Sequence, residues 1–437
     1  MKSVFSSLCL ILVFSGHNLS KAQNETTEDY VTQTLKYDNY TYKSNIRTVQ
    51  FHQVGFEYLA PIIDLNGAEQ LELNFDDLDG EHKQYSIAFV YCNADWSPSN
   101  LMVSEYLEGY YEINLNNNFS YSMNTFQKYT YYNIIFPLNN VRFTKSGNYI
   151  VYVYENGDRQ NLVLSRRFMV YDNKAKIEAS VRQPIAGEKQ FNQQQVDFKV
   201  TGVNYVLNNP YKDLHVVIMQ NHRWDNAVMD IKPTFLSGNS VEYSLIDACI
   251  FNGGNEFRYF DIRSTRFLTE RVKELYRDKS YRMHAVVINE ENKKNKPYLF
   301  YNDINGEYLI RNTETTGHPD TEADYVEVHF FIPYPEPEPK GNFYILGRLT
   351  DWRMNANSKM TYNEKRYGYE TSLYLKQGYY NYMFVLSGDD YKGGDHTIID
   401  GSYFDTENEY DILVYHRQFG TYHDQLIAHK RFSSFKR

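Results

Sequence analysis

The sequence predicts a mainly β chain of tandem immunoglobulin-like β-sandwich domains, and two observations predict it. Tyrosine occurs 42 times and phenylalanine 27 times, and aromatic side chains fit the half-buried surface of a sheet. Short apolar–polar alternations recur along the chain, separated by Asn, Asp and Gly, while helical spacing is scarce. At 437 residues the chain exceeds one ordinary core and suits about three domains of roughly 100–150 residues each.

The first element, residues 1–22, reads as a secretory signal peptide. Lys2 supplies the positive start, Val4–Phe14 the apolar run and Ser20-Lys21-Ala22 the small residues of a cleavage site, leaving Gln23 first. No other stretch is long and apolar enough to span a bilayer as a helix. Residues 24–172 form the expected first sandwich. After a polar, loose Asn24–Asp38, strands are expected over Ile46–Val54, Gln70–Phe75, Gln84–Tyr91, Tyr129–Phe136, Tyr149–Tyr154 and Leu162–Val170. Within Tyr85–Cys92, Tyr85, Ile87, Phe89 and Tyr91 share one face, and Ser86, Ala88, Val90 and Cys92 the other. Ser146-Gly147-Asn148 and Asn156-Gly157-Asp158 read as turns.

Residues 173–320 are expected to form a second sandwich with a connecting arm. Its strands are Val196–Val200, Leu214–Met219, Val241–Leu245, Phe257–Ile262 and Tyr281–Ile288. Thr265–Asp278 reads as a helix or a charged loop, from the spacing of Leu268, Val272 and Leu275. Tyr298–Ile310 is a hairpin of this domain or an arm to the next. Residues 321–437 are expected to form a C-terminal early-set, immunoglobulin-like domain with strands Tyr325–Ile332, Phe343–Leu346, Tyr367–Leu375, Tyr379–Leu386 and Asp411–His416. Pro333–Pro339 is then a rigid loop inside it.

The formal charge of −10 argues against a nucleic-acid partner, which needs a basic surface. Cys92 and Cys249 read as two buried free thiols rather than a disulfide framework. Asp76–Glu81 reads as a hairpin turn in preference to a calcium loop, and Asp303-Ile304-Asn305-Gly306 as a tight turn. The 12 histidines include no zinc-type pair, and neither a P-loop nor a G-x-S-x-G elbow is visible. No catalytic, metal or cofactor-binding residue is therefore assigned, and the chain reads as non-enzymatic.

Several motifs, in one order, carry a resemblance. They are Asn74–Leu78, Cys92-Asn93-Ala94-Asp95-Trp96, Asn124-Thr125 with Tyr129-Thr130 and Tyr132, Ser146–Tyr149, Arg166-Arg167-Phe168, and Gly253–Ser264 with its Asn255-Glu256-Phe257-Arg258 core. Together they are similar to the plug proteins of the type IX secretion system. The resemblance implies a periplasmic, non-enzymatic component. Its partner would be the giant outer-membrane β-barrel translocon, whose periplasmic end it would bind and plug when no substrate is present. Cys92, Asn93, Asp95, Trp96, Asn255, Glu256 and Arg258 would be structural or partner-contact residues, with Glu256 and Arg258 placed to form an ion pair. The alternative is a carbohydrate-binding or glycan-processing accessory protein. Leu346-Gly347, Asp351-Trp352 and Gly378–Phe384 are similar to early-set modules beside glycogen-type enzymes, and Trp352 would be the glycan contact.

Overall fold

The computed structural model describes residues 34–435 apart from 186, 188 and 389–393. The expected signal peptide, 1–22, lies outside the described residues. The chain folds into three β-sandwiches of antiparallel and mixed sheets.

The first sandwich packs two sheets. One is ordered Tyr40–Thr41, Asp158–Tyr171, Gly147–Glu155, Tyr85–Cys92, Glu112–Asn114; the other Ile46–Gln53, Leu71–Asp77, Thr130–Phe136, Phe119–Tyr121. An aromatic core fills the space between them, with Phe51, Phe75, Tyr85, Phe89, Phe136 and Phe168 buried. The Asp76–Glu81 segment connects strands of the two facing sheets rather than closing a hairpin. Asn156 and Gly157 do turn the hairpin between Gly147–Glu155 and Asp158–Tyr171, both at positive φ. Gly147, read as part of a turn, instead opens a strand.

The other two sandwiches are not consecutive. Ala175–Arg182, Gln193–Gly202, Ser240–Tyr243 and Phe235–Ser237 form one sheet of the second sandwich. Its facing sheet takes Leu214–Gln220 from the same region and pairs it with Glu409–His416, which pairs with Gln425–Ser433 at the far end of the chain. The expected boundary between 173–320 and 321–437 is therefore corrected: the C-terminal strands complete the middle sandwich. The third sandwich is an insertion between Ile250–Asn252 and Glu409–His416. Phe257–Ile262 and Tyr281–Ile288, both expected in the second domain, contribute strands to it, and so does Tyr298–Ile310, read as a hairpin of that domain or an arm to the next. Arg258–Asp261 and Tyr308–Ile310 flank Gly378–Ser387, and Met283–Val287 runs parallel to Tyr325–Pro333. Pro333–Pro339 lies within this sandwich, between Tyr325–Pro333 and Asn342–Leu346.

The expected helix or loop at Thr265–Asp278 contains the strand Val272–Arg277 at the edge of the five-stranded sheet. Its charged residues face water along an edge strand, where charge discourages further pairing.

The first and second sandwiches share a core. Ala88, Cys92, Ile150 and Met169, on the outer face of the first, pack with Val217, Met219, Leu413, Tyr415 and Leu426 of the second. Tyr85–Cys92 is thus covered on both faces, which explains why only Val90 in it is more than marginally exposed.

Candidate functional site

The motif residues lie at the joints between the three sandwiches. The Cys92–Trp96 motif ends a strand and turns back. Asn93 N–H donates to the Ser97 carbonyl (2.9 Å) and Trp96 N–H to the Asn93 carbonyl (2.9 Å). The exposed Asp95 accepts from the Ser97 N–H (2.9 Å), which fixes the loop. Trp96 takes a left-handed backbone, φ 66°, an uncommon state for a bulky residue. Its ring is buried and meets Trp224 of the second sandwich edge to face, with centroids 5.0 Å apart. The Arg167 guanidinium lies 4.5 Å from the Trp96 ring and 5.2 Å from Trp224. The motif thus sets an aromatic–cation clasp across the first joint. Cys92 and Cys249 are both buried and free, and burial pushes each thiol up to about 12, far from the reactive thiolate range.

The same joint is tied by Tyr91, whose hydroxyl donates toward the carbonyls of Ser146 (2.7 Å) and Asp424 (2.6 Å). A Cβ on Gly147 would sit 2.2 Å from that hydroxyl, so the glycine of Ser146–Tyr149 is there for close approach. Tyr415 donates to Asn148 Oδ1 (2.7 Å), and the Asp424 carboxylate accepts from the Ala94 N–H (3.0 Å). Tyr91→Phe is expected to lose about 1–2 kcal/mol, read as an earlier urea midpoint with an unchanged slope.

Two ion pairs, one buried on both sides and one between a buried guanidinium and a partly exposed carboxylate, join the first sandwich to the inserted one. Asp76, from the Asn74–Leu78 motif, accepts from Lys376 Nζ and from the Tyr325 hydroxyl, each at 2.7 Å. Both charged side chains are 1% exposed. Burial pushes Asp76 up and Lys376 down, so each stays charged only against the other. Arg166, fully buried, donates to Asp351 (2.9 Å) and to the Tyr40 carbonyl (3.0 Å). Tyr129 donates to the Ala323 carbonyl (2.8 Å). Asp324 holds the N–H groups of Phe126 and Gln127, just past Asn124-Thr125.

The second signature forms the base of the inserted sandwich. Arg258 does not pair with Glu256, contrary to the expected ion pair. Its guanidinium bonds Asp400 (2.8 Å), Glu290 and the Glu291 carbonyl. Asn255 Nδ2 donates to the Asp400 carbonyl (2.8 Å). Glu256, buried, accepts instead from the Tyr298 hydroxyl and from the Glu407 N–H (3.2 Å). The neighbouring Asp303 is pushed up by burial, with the negative charges of Glu256 and Glu407 adding to it.

A cleft of about 410 Å³ opens where the three sandwiches meet, lined by Arg167, Trp224, Asp351, Trp352 and Arg353 among others. Trp352 is not a free platform. The Arg223 guanidinium lies 4.7 Å from its ring, Phe257 meets it edge on at 5.9 Å, and Gly306 backs it so closely that a Cβ would come within 2.3 Å. Deeper in the second sandwich, Asp411 is fully buried between His222 Nδ1 (2.6 Å), His429 Nε2 (2.6 Å) and Arg431 Nε (3.0 Å). Burial alone would lower the His222 pKa, but Asp411 and Glu409 hold it up at about 9.

The sequence reading found the motif residues and missed their partners. Lys376, Glu290, Asp400 and Asp424 were not read as partners of buried charges, and Asp351 was read only as part of the early-set motif beside Trp352. Two consecutive carboxylates closing the apolar strand Leu71–Asp77 were the one local signal that a buried cation was needed. Among the described residues no helix is long and apolar enough to cross a membrane, and no group of three or more His, Cys, Asp or Glu is placed to hold a metal ion.

Residues 46–172 match the family model for the type 9 secretion system plug protein 1st domain. The fold is similar to a crystal structure of a hypothetical protein from Parabacteroides merdae ATCC 43184, at a TM-score of 0.87 and 31% identity, covering 92% of this chain and 100% of that one. Comparison with curated proteins gives no match.

Proposed function

We propose, because this chain belongs to the type IX secretion system plug protein family, that it is a non-enzymatic component that binds the periplasmic end of the giant outer-membrane β-barrel translocon and plugs its channel when no substrate is present. Family membership implies a periplasmic location. The observation that carries the reading is where the family motifs are used. They sit in the joints, where ion pairs and a shared apolar core make three sandwiches one stiff body. Stiffness is what a stopper needs, since a hinged array deforms under load, whereas an enzyme of this size would concentrate its motif residues around a reacting centre.

Contact with the barrel is left to exposed loops. The hairpin joining Glu409–His416 to Gln425–Ser433 carries Phe419 and Tyr422, 95% and 84% exposed. It is braced by Arg417 on Asp424 (2.8 Å) and by Tyr91. Rigid aromatic side chains give large contact area at low entropy cost. The tagged protein is expected to bring down the barrel from detergent extracts, and its deletion to make the outer membrane permeable to large solutes. Phe419→Ala with Tyr422→Ala is expected to reduce recovery of the barrel tenfold or more, about 1.4 kcal/mol at least, with an unaltered melting temperature. No recovery of the barrel by the wild-type protein, together with no leak on deletion, rejects the reading.

A further inference from the structure

A second cavity, about 310 Å³, opens beside the base of the inserted sandwich between the strand that begins at Arg258 and the segment 288–301. Its charges do not balance. Arg258 is fully engaged, with Asp400, Glu290 and the Glu291 carbonyl. Arg271 gives one terminal nitrogen to both Glu290 oxygens (2.8 and 2.9 Å), while its Nε–H is buried without an acceptor. Lys293 is half-buried, and among the described residues no carboxylate lies within ion-pair distance of it. Its ammonium donates only to the Tyr301 hydroxyl, at 3.2 Å. That hydroxyl is itself committed to the carbonyls of Glu256 and Phe257.

Arg258, Arg271 and Lys293 thus face two buried carboxylates, Glu290 and Asp400, while Lys296 and Glu291, also on the wall, pair with each other. One positive charge is left over. Burial, and then the Arg258 charge, push the Lys293 pKa down, the response of an ammonium whose compensation is incomplete. Holding such a charge beside two guanidiniums is costly unless an anion completes the set. The cavity wall says which kind of anion. Ile288, Pro297 and Leu299 give it an apolar side, and Leu299 is 74% exposed at the rim. A bare inorganic ion would leave that side unused.

We infer that this cavity binds an aliphatic carboxylate, with the Lys293 ammonium and the Arg271 Nε–H holding the carboxylate and the Ile288–Leu299 wall holding the hydrocarbon. The donors fit a single negative charge, since one is missing from the count. A free short-chain acid and the terminal carboxylate of a peptide present the same chemistry. The inference is independent of the plug reading and stands or falls with the charge count.

Calorimetric titration of the purified protein at low salt tests it, with isovalerate, N-acetyl-leucine and N-acetyl-leucinamide as probes. N-acetyl-leucine is expected to bind at least about tenfold more tightly than its amide, the scale of one charge-assisted hydrogen bond. Lys293→Gln and Arg271→Gln are each expected to weaken it about tenfold. Lys293→Met is expected to abolish binding while leaving the melting temperature at or above that of the wild type, because it removes an uncompensated charge; lost binding then does not stem from unfolding. Isovalerate binding as tightly as N-acetyl-leucine identifies a free acid, and a preference for N-acetyl-leucine identifies a chain end. Equal affinity for acid and amide, full binding by Lys293→Gln, or no binding of any probe up to about 10 mM overturns the inference.

Discussion

Lys376→Met is expected to cost ~3–5 kcal/mol, among the largest effects of any single substitution in this protein. The Lys376 ammonium lies 2.7 Å from Asp76, and neither side chain reaches water. Methionine fills most of the lysine volume but leaves the Asp76 carboxylate with only the Tyr325 hydroxyl as donor. In the variant the carboxyl is pushed up further, so the folded state holds a proton that the unfolded state releases. Stability of the variant therefore falls as pH rises above the unfolded carboxyl value of about 4. Asp76→Asn with Lys376→Met is expected to recover much of the loss, because the charge is removed with its partner. Urea unfolding of the four proteins in a double-mutant cycle measures the coupling. A cycle that closes with no coupling shows that the two charges do not act on each other. The loss also has a place. The pair binds the first sandwich to the inserted one, so limited proteolysis is expected to cut first at the segments that cross that joint.

The second large effect is in pH. His222 is held at about 9 by Asp411 and Glu409, against about 6.5 in an unfolded chain. Its folded pKa is raised, so its contribution is complete below about 6.5 and is lost as pH rises through about 9. The shift corresponds to about 3 kcal/mol. Asp303, also raised, acts in the same direction, because the folded state keeps a carboxyl proton that the unfolded state gives up. The protein is expected to be markedly less stable at pH 9.5 than at pH 6.5. In His222→Asn that difference shrinks, while Asp411 keeps His429 and Arg431 as partners. Equal slopes of stability against pH in the two proteins remove the histidine from the explanation.

Most strands were legible because their alternation is local. Tyr85–Cys92 displays its two faces in the sequence, and both faces found cores. What was illegible is pairing. Nothing in the pattern of Glu409–His416 says that its neighbour lies near residue 217 rather than near residue 380, since any half-buried strand offers the same hydrogen bonds to either. The edge strand Val272–Arg277 was misread for a related reason. Its one regularity is an apolar residue every three to four positions, which mimics helical spacing when the other face is solvated. Glu290 was lost in a run of Asn, Glu and Lys that resembles a loop, although its carboxylate is buried on Arg258 and Arg271. A buried charge is recognisable only when its partner is known, and the partners of Arg258, Arg271 and Asp76 are 19 residues or more away.

The insertion has a consequence for the order in which the molecule can be built. The middle sandwich borrows its closing strands from the last stretch of polypeptide, so a chain emerging amino end first finishes its centre after its periphery. Until residue 433 is available, one edge of Leu214–Gln220 stays unpaired, and the surface that the leading sandwich later rests on lacks Leu413, Tyr415 and Leu426. Trimming the tail by two dozen residues would spare the unit nearest to it in sequence and unmake the one far upstream.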